Sequence, residues 1–144
     1  MVAVTGLDHV WLSVSDLAVS RQYYDVVLGS ILEFSQNEFE LDDVPHLNYF
    51  NRHYGIILRP APEPGDVSAG RPGLHHLCLR VDTIDDVKAV ASAMQAAGLN
   101  CSEAARYPKY APDYWAVYFN DPDNIHLEVT NFREERRQRF FNPA

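Results

Sequence analysis

Cysteine is scarce in this chain: Cys78 and Cys101 are the only two in 144 residues. They form no CxxC pair and are too few for a disulfide framework, which excludes a stapled scaffold and leaves two reduced, half-buried thiols as the expectation. Positive charge is also short, with 12 Lys and Arg against 20 Asp and Glu, for a net charge of −8 and a pI near 5.1. Such a balance is the wrong one for a phosphate backbone, so no nucleic-acid partner is expected. It suits a cationic ligand, or simply solubility. No apolar run approaches the roughly 20 residues of a membrane span, and no membrane association is expected. Met1 to Thr5 lead straight into a strand-like run without the pattern of a secretory signal, so the cytoplasm is the expected location. What remains is ordinary for a globular protein, 47% hydrophobic and 22% charged, at a length that suits one domain with a core of its own.

The most informative feature is internal. Residues 6–17 read GLDHVWLSVSDL and residues 73–84 read GLHHLCLRVDTI. At the offset that carries His9 onto His76 (76 − 9 = 67), Gly, Leu, His, Leu and Val recur in place. Each copy is followed by a helix signal. After the first, Ser15 or Asp16 can cap, Leu17, Tyr24, Val27 and Leu28 share a face, and Gly29 offers a left-handed stop. After the second, Thr83 with Asp86 resembles a capping box, Ile84, Val87, Ala91 and Met94 form the apolar stripe, and Gly98 ends it. Three strand-like runs follow each helix, at about 31–40, 46–51 and 54–60, then about 99–105, 114–120 and 125–132. The Pro- and Gly-rich stretch between the halves reads as a connector. The pattern is βαβββ twice, an α+β fold of one domain over residues 1–144, with modules at about 6–60 and 73–132, a linker at 61–72 and a tail at 133–144.

His9 and His76 open equivalent strands, and period-2 alternation sets them on the face opposite Val10, Leu12 and Val14, or Leu77, Leu79 and Val81. Asp121-Pro122-Asp123-Asn124 is turn chemistry. In the strand after it, Glu128 faces away from Leu127 and Val129. A buried carboxylate needs a partner, and a divalent cation shared with two imidazoles would supply one.

Asp-Pro-Asp-Asn before Leu127-Glu128-Val129, with two strand-opening histidines in Gly-Leu-x-His-Val/Leu, resembles the vicinal oxygen chelate superfamily over residues 6–132. Its members include glyoxalases, bleomycin-resistance proteins and extradiol dioxygenases. The resemblance implies two βαβββ modules forming a U-shaped, mixed-sheet half-barrel around a metal. Family ligands lie on strands one, four, five and eight, which implies His9, a fourth-strand position, His76 and Glu128. The metal expected is a divalent ion, Fe, Mn, Zn or Ni. Relatives commonly pair, so a homodimer is expected.

The fourth-strand position separates sub-families. Glyoxalase I and methylmalonyl-CoA epimerase relatives place Glu or Gln there. Extradiol dioxygenases and fosfomycin-modifying transferases use three ligands. Alignment on Leu127-Glu128-Val129 puts Arg59 at this position, or Leu58 after a one-residue slip, and neither is a carboxylate or an amide. Val117 to Pro122 followed by Glu128 resembles the extradiol signature with its catalytic tyrosine, here Tyr118. The histidine that the signature carries upstream is missing, with Lys109, Tyr110 and Ala111 in that region.

Arg59, if it faces inward, is a candidate anchor for an anionic substrate group. His126 shares the face of Glu128 and is a candidate acid–base group. His75 has the other parity and reads as structural, while His46 and His53 read as surface residues. Trp11 and Cys78 follow the two histidines by two residues, in positions to line a cleft. Tyr107, Tyr110 and Tyr114, with Pro108 and Pro112, read as an ordered loop. The mixed-charge run 133–139 reads as a solvated helical end, with Phe140 and Phe141 placed to dock on a partner subunit.

Two functions compete at this level. One is a metal-dependent enzyme acting on a small oxygen-rich substrate chelated to the ion, dioxygenase-like or lyase/transferase-like rather than true glyoxalase I. The other is a metal-free ligand-sequestering protein of the bleomycin-resistance type.

Overall fold

The computed structural model describes residues 1–141, with side chains to Gln138. The expected docking of Phe140 and Phe141 lies outside the described side chains. The chain divides into two compact units, Met1–Asp66 and Val67–Ala144.

In the first unit, β1 (His9–Val14) leads into α1 (Leu17–Tyr24), followed by β2 (Ser35–Leu41), β3 (Val44–Phe50) and β4 (Gly55–Pro60). The strands form one mixed sheet in the order β1-β4-β3-β2, with β1 and β4 parallel and the other pairs antiparallel. Alternation sorts the side chains. Leu12, Val14, Leu47, Tyr49, Ile56 and Leu58 are buried with Tyr24, Val27 and Leu28 from the helical segment. His9, Trp11, Ile57 and Arg59 have the opposite parity.

Asp16 caps α1, its carboxylate accepting from the Ala18 and Val19 amides. The stop expected at Gly29 does not occur. The helix widens into a π-helical segment, Asp25–Ile31, that carries Gly29 inside it, and the Leu32 amide bonds the Val27 carbonyl five residues back. The wider turn lets the adjacent Val27 and Leu28 both be buried, and Glu33 then takes the left-handed conformation at φ 57°. β2 and β3 are longer at the hairpin than expected because Asp42-Asp43 closes it in two residues, both at positive φ (52° and 60°). That backbone matches the twist of the flanking strands, and aspartate tolerates it.

The second unit repeats the order. β5 (Leu77–Val81) is followed by α2 (Ile84–Ala96), β6 (Ala105–Arg106), β7 (Trp115–Asn120), β8 (His126–Asn131) and α3 (Glu134–Phe141). The sheet order is β5-β8-β7-β6, again with the first pair parallel. The α+β class with two βαβββ modules is therefore observed. The Thr83–Asp86 capping box is complete, and Gly98 takes the left-handed stop at φ 73°. Val87, Val90, Ala91 and Met94 form the buried stripe of α2, which packs on β7 and β8.

The strand expected at 99–105 is reduced to Ala105–Arg106. Its failure has a local cause: the Ser102 hydroxyl, rather than a carbonyl, takes the Tyr118 amide at 2.9 Å, and a side chain in that place interrupts a backbone ladder. Ahead of β8, Asp121 Oδ1 accepts from the Asp123 and Ile125 amides, and Asn124 sits at φ 64°, as the turn chemistry implied. No helix among the described residues is long and apolar enough to cross a membrane.

Candidate functional site

Strand register decides which side chains meet. In the second unit β8 lies between β5 and β7, with Glu128 directly across from Cys78 on one side and Tyr118 on the other. Cross-strand partners share a face, so Glu128, Cys78 and Tyr118 point the same way. His126, two residues along β8, joins them, and His76 lies one residue ahead of β5 on the same parity.

Glu128 is 2% exposed. The Tyr114 hydroxyl donates to its Oε1, and the His76 Nε2 lies 3.2 Å from its Oε2. The His75 and His76 Nδ1 atoms are 2.7 Å apart, so one ring donates and the other accepts there. Nε2 of His76 therefore faces the Glu128 carboxylate, and its Nδ1 faces His75. The contact with His75 orients the His76 ring.

His126 stacks on Tyr118 with the rings 5.5 Å apart and 1° from parallel, and meets His76 edge-on at 5.9 Å. Its Nδ1 is 2.7 Å from Asn120 Oδ1, and Asn120 is oriented by donating its own amide to Asn124 Oδ1. Burial, then the neighbouring His76, pull the His126 pKa below the usual histidine value. Tyr118 and Tyr114 are both held well above the ordinary phenol value, first by burial and then by Glu128. Crowding by surrounding protein and the Glu128 carboxylate push the Cys78 thiol up to about 12 although its edge faces solvent, so it is no ready thiolate.

The first unit holds the other two candidates. His9 is exposed, with Nδ1 2.5 Å from Asp8 Oδ1, and stands across from Gly55. A side chain on Gly55 would crowd Asn48 Oδ1 at 3.0 Å and lie in ordinary contact with His9 Cβ at 3.8 Å. Arg59 is half-buried on the parity of His9, with Nε donating to the Pro60 carbonyl at 3.3 Å. Among the described residues, no three His, Cys, Asp or Glu side chains are gathered as a metal-holding group. The second unit thus brings together His76, Tyr118, His126 and Glu128, and the first carries His9 and Arg59.

Two expectations need correction. His46 is 2% exposed rather than a surface residue. Phe39 stacks on it at 4.8 Å, Trp11 lies at 5.0 Å, and its Nδ1 meets the Val44 carbonyl. The fourth-strand position belongs neither to Arg59 nor to Leu58. Trp11 pairs with Ile57 as its counterpart Cys78 pairs with Glu128, so Ile57 is the equivalent of Glu128. Leu58 is fully buried in the core on the other face. Ile57 has no donor atom to offer a metal.

A family model for the glyoxalase/bleomycin resistance protein/dioxygenase superfamily matches residues 6–129. The chain belongs to that superfamily. The chain is 30% identical over 132 residues to the uncharacterized protein YaeR of Escherichia coli K12, covering 90% of this chain and 98% of YaeR. It superposes on a glyoxylase/bleomycin resistance protein/dioxygenase domain from Frankia sp. EAN1pec with a TM-score of 0.74 at 25% identity, covering 91% of this chain and all of that one. The fosfomycin resistance protein FosX of Listeria monocytogenes has the same fold. A point mutant of FosX, in complex with Mn(II) and 1S,2S-dihydroxypropylphosphonic acid, matches with a TM-score of 0.68 at 15% identity over 94% of this chain and 98% of its own.

Tyr114 is the site residue missing from the sequence-based candidates, where it is grouped with the loop tyrosines. The strand-like run 114–120 also contains it, and its parity with Ala116 and Tyr118 in that run is the signal that points to it.

Proposed function

We propose that this superfamily member is a metal-dependent enzyme acting on a small oxygen-rich molecule, with a divalent ion of the Fe, Mn, Zn or Ni group held by His9, His76 and Glu128. The observation that carries the reading is Glu128. An ionisable carboxyl is buried to 2% exposure and faces an imidazole nitrogen rather than a lysine or arginine head. One nitrogen and one oxygen donor of this kind, with a further histidine at the repeat-equivalent position His9, suit such an ion. When bound, the ion supplies a Lewis acid for a developing enolate or oxyanion and, if it is iron, a partner for dioxygen.

The chain's own groups have distinct tasks in this reading. The His126 hydrogen sits on Nδ1, toward Asn120, so Nε2 keeps a lone pair and can take a substrate proton. Tyr118, held protonated beside Glu128, can donate to a substrate oxyanion. Arg59 remains a candidate anchor for an anionic group. With Ile57 at the fourth-strand position, three protein ligands leave more of the coordination sphere to substrate, which favours dioxygenase-like or lyase/transferase-like chemistry over true glyoxalase I. FosX, with its Mn(II) and a dihydroxy phosphonic acid, supports this class of ligand. A homodimer in the cytoplasm belongs to the same proposal, and light scattering at micromolar concentration tests the dimer.

Metal analysis of the purified protein is the first test, followed by three assays: methylglyoxal with glutathione, catechols in air with Fe(II), and fosfomycin with thiols and Mn(II). Stoichiometric divalent metal with little hemithioacetal turnover is expected. Robust lactoylglutathione formation would overturn the exclusion of glyoxalase I.

A further inference from the structure

The second unit carries a cation that no carboxylate among the described residues bonds directly. Arg133, just after β8, is half-buried, yet makes no ion pair with a carboxylate among the described residues. Its Nη1 donates to Thr130 Oγ1 and to the Asn131 carbonyl, both at 2.8 Å, and its Nε is buried without an acceptor. The guanidinium's direct partners among the described residues are neutral oxygens and the Tyr114 ring, whose centroid lies 4.0 Å from Cζ, while the Glu128 carboxylate acts on it only through space. A half-buried cation in that state is costly unless something anionic visits it.

Its surroundings concentrate positive charge. Arg136 Cζ lies 6.0 Å from the centroid of the same ring. Tyr110 packs 5.1 Å from Tyr114 and carries Lys109 Nζ at 4.9 Å. In a chain of net charge −8 this cluster runs against the overall composition. On the far edge of the Tyr114 ring, the hydroxyl donates to Glu128. One phenol ring thus separates a guanidinium from the carboxylate–imidazole pair.

We propose that Arg133 is a specificity-determining residue that binds the anionic group of the substrate, a carboxylate, phosphate or phosphonate. The substrate class is then a small molecule with chelating oxygens at one end and an anionic group at the other. The chelating end rests on the proposed metal site. The anionic end does not, and can be tested without metal. Thr130 and the Asn131 carbonyl hold Nη1 in place, so the side chain is ordered before the ligand arrives and less freedom is lost on binding.

The test uses the full chain with inorganic phosphate and oxalate as probes, titrated calorimetrically into chelator-treated protein, alongside Mn(II) titration. Wild type is expected to bind both anions. Arg133→Gln is expected to weaken them about 10- to 100-fold, the range for loss of a charge-assisted hydrogen bond. Its Mn(II) affinity should not fall, since Arg133 touches no proposed ligand and loss of its positive charge favours a cation at Glu128. Arg133→Lys keeps the charge without the planar fork and should fall between the two. Glu128→Gln should lose Mn(II) and keep phosphate, which separates failure of the metal reading from failure of this one. Should Arg133→Gln not fold, Arg133→Lys decides, with a loss of at least about threefold required. Equal phosphate and oxalate binding by wild type and the folded Arg133 variants, or no binding by wild type, would overturn the proposal.

Discussion

Replacing Glu128 by glutamine separates a carboxylate poised for metal from one that merely holds the fold together. The side chain is 2% exposed, with Tyr114 donating to Oε1 and His76 Nε2 at 3.2 Å from Oε2. Glutamine keeps the volume and one carbonyl oxygen to accept from Tyr114, so no hydroxyl is orphaned. The metal-free variant should therefore differ from wild type by about 1 kcal/mol or less, the scale of one net hydrogen bond. The metal-bound state is another matter, because the neutral amide would bring no charge to the ion. Free metal at 100 times its dissociation constant stabilises a folded protein by about 2.7 kcal/mol, provided the unfolded chain does not bind it. At roughly 2–4 °C per kcal/mol for chains near this size, that is a rise of about 5–11 °C in the melting midpoint. Scanning calorimetry after chelator treatment, with and without Mn(II), Ni(II), Zn(II) or Fe(II), reads both effects. The expected result is a rise in wild type with at least one ion and none in the variant, from nearly equal metal-free midpoints. A wild-type midpoint unmoved by all four ions would refute the metal reading, as would an undiminished rise in the variant. A metal-free loss of more than about 3 kcal/mol would instead mark Glu128 as a structural partner.

Leu58→Ala should cost about 2–5 kcal/mol in urea unfolding, because Leu58 is fully buried, and should leave metal stabilisation intact. Thr83→Ala should cost about 1 kcal/mol, since Thr83 Oγ1 accepts the Asp86 amide at 3.1 Å and α2 packs on two strands; circular dichroism melts read it. Tyr49→Phe removes the hydroxyl that donates to Asp25 Oδ1 at 2.6 Å, at a cost of about 1 kcal/mol near pH 7. Burial, then Asp25, raise the Tyr49 phenol in the fold, so its contribution is complete below the unfolded value of about 10 and is lost as pH rises through the higher folded value. The wild-type advantage over Tyr49→Phe should shrink above about pH 10 in urea midpoints taken from pH 8 to 11, and parallel curves would contradict it.

The repeat is legible in the linear order of residues, and through it the α+β architecture. So is the face that each strand residue occupies, because alternation along a strand is a local property of the backbone. His76, Tyr118, His126 and Glu128 could be read for that reason, as could the Thr83 cap and the Gly98 stop, whose partners lie within a few residues. Parity fixes a face but not a rung. Which residue stands across from Trp11 depends on a strand distant in the chain, and the copies are offset by 67 at their first strands (His9 to His76) but by 71 at their last (128 − 57). Unequal connections absorb the difference, so alignment by motif chooses Arg59 or Leu58 and only hydrogen-bonded register assigns Ile57. Contacts made through space are likewise hidden from the sequence. Tyr114 reaches Glu128 because the 107–114 loop folds back through the Tyr107 and Tyr114 backbone bonds, and Arg133 covers that ring because Thr130 and Asn131 turn its side chain inward. His46 is buried because Phe39, across the hairpin, and Trp11, from a strand further along the same sheet, close over it. In each case the deciding term is packing between segments distant in sequence, which no local propensity encodes.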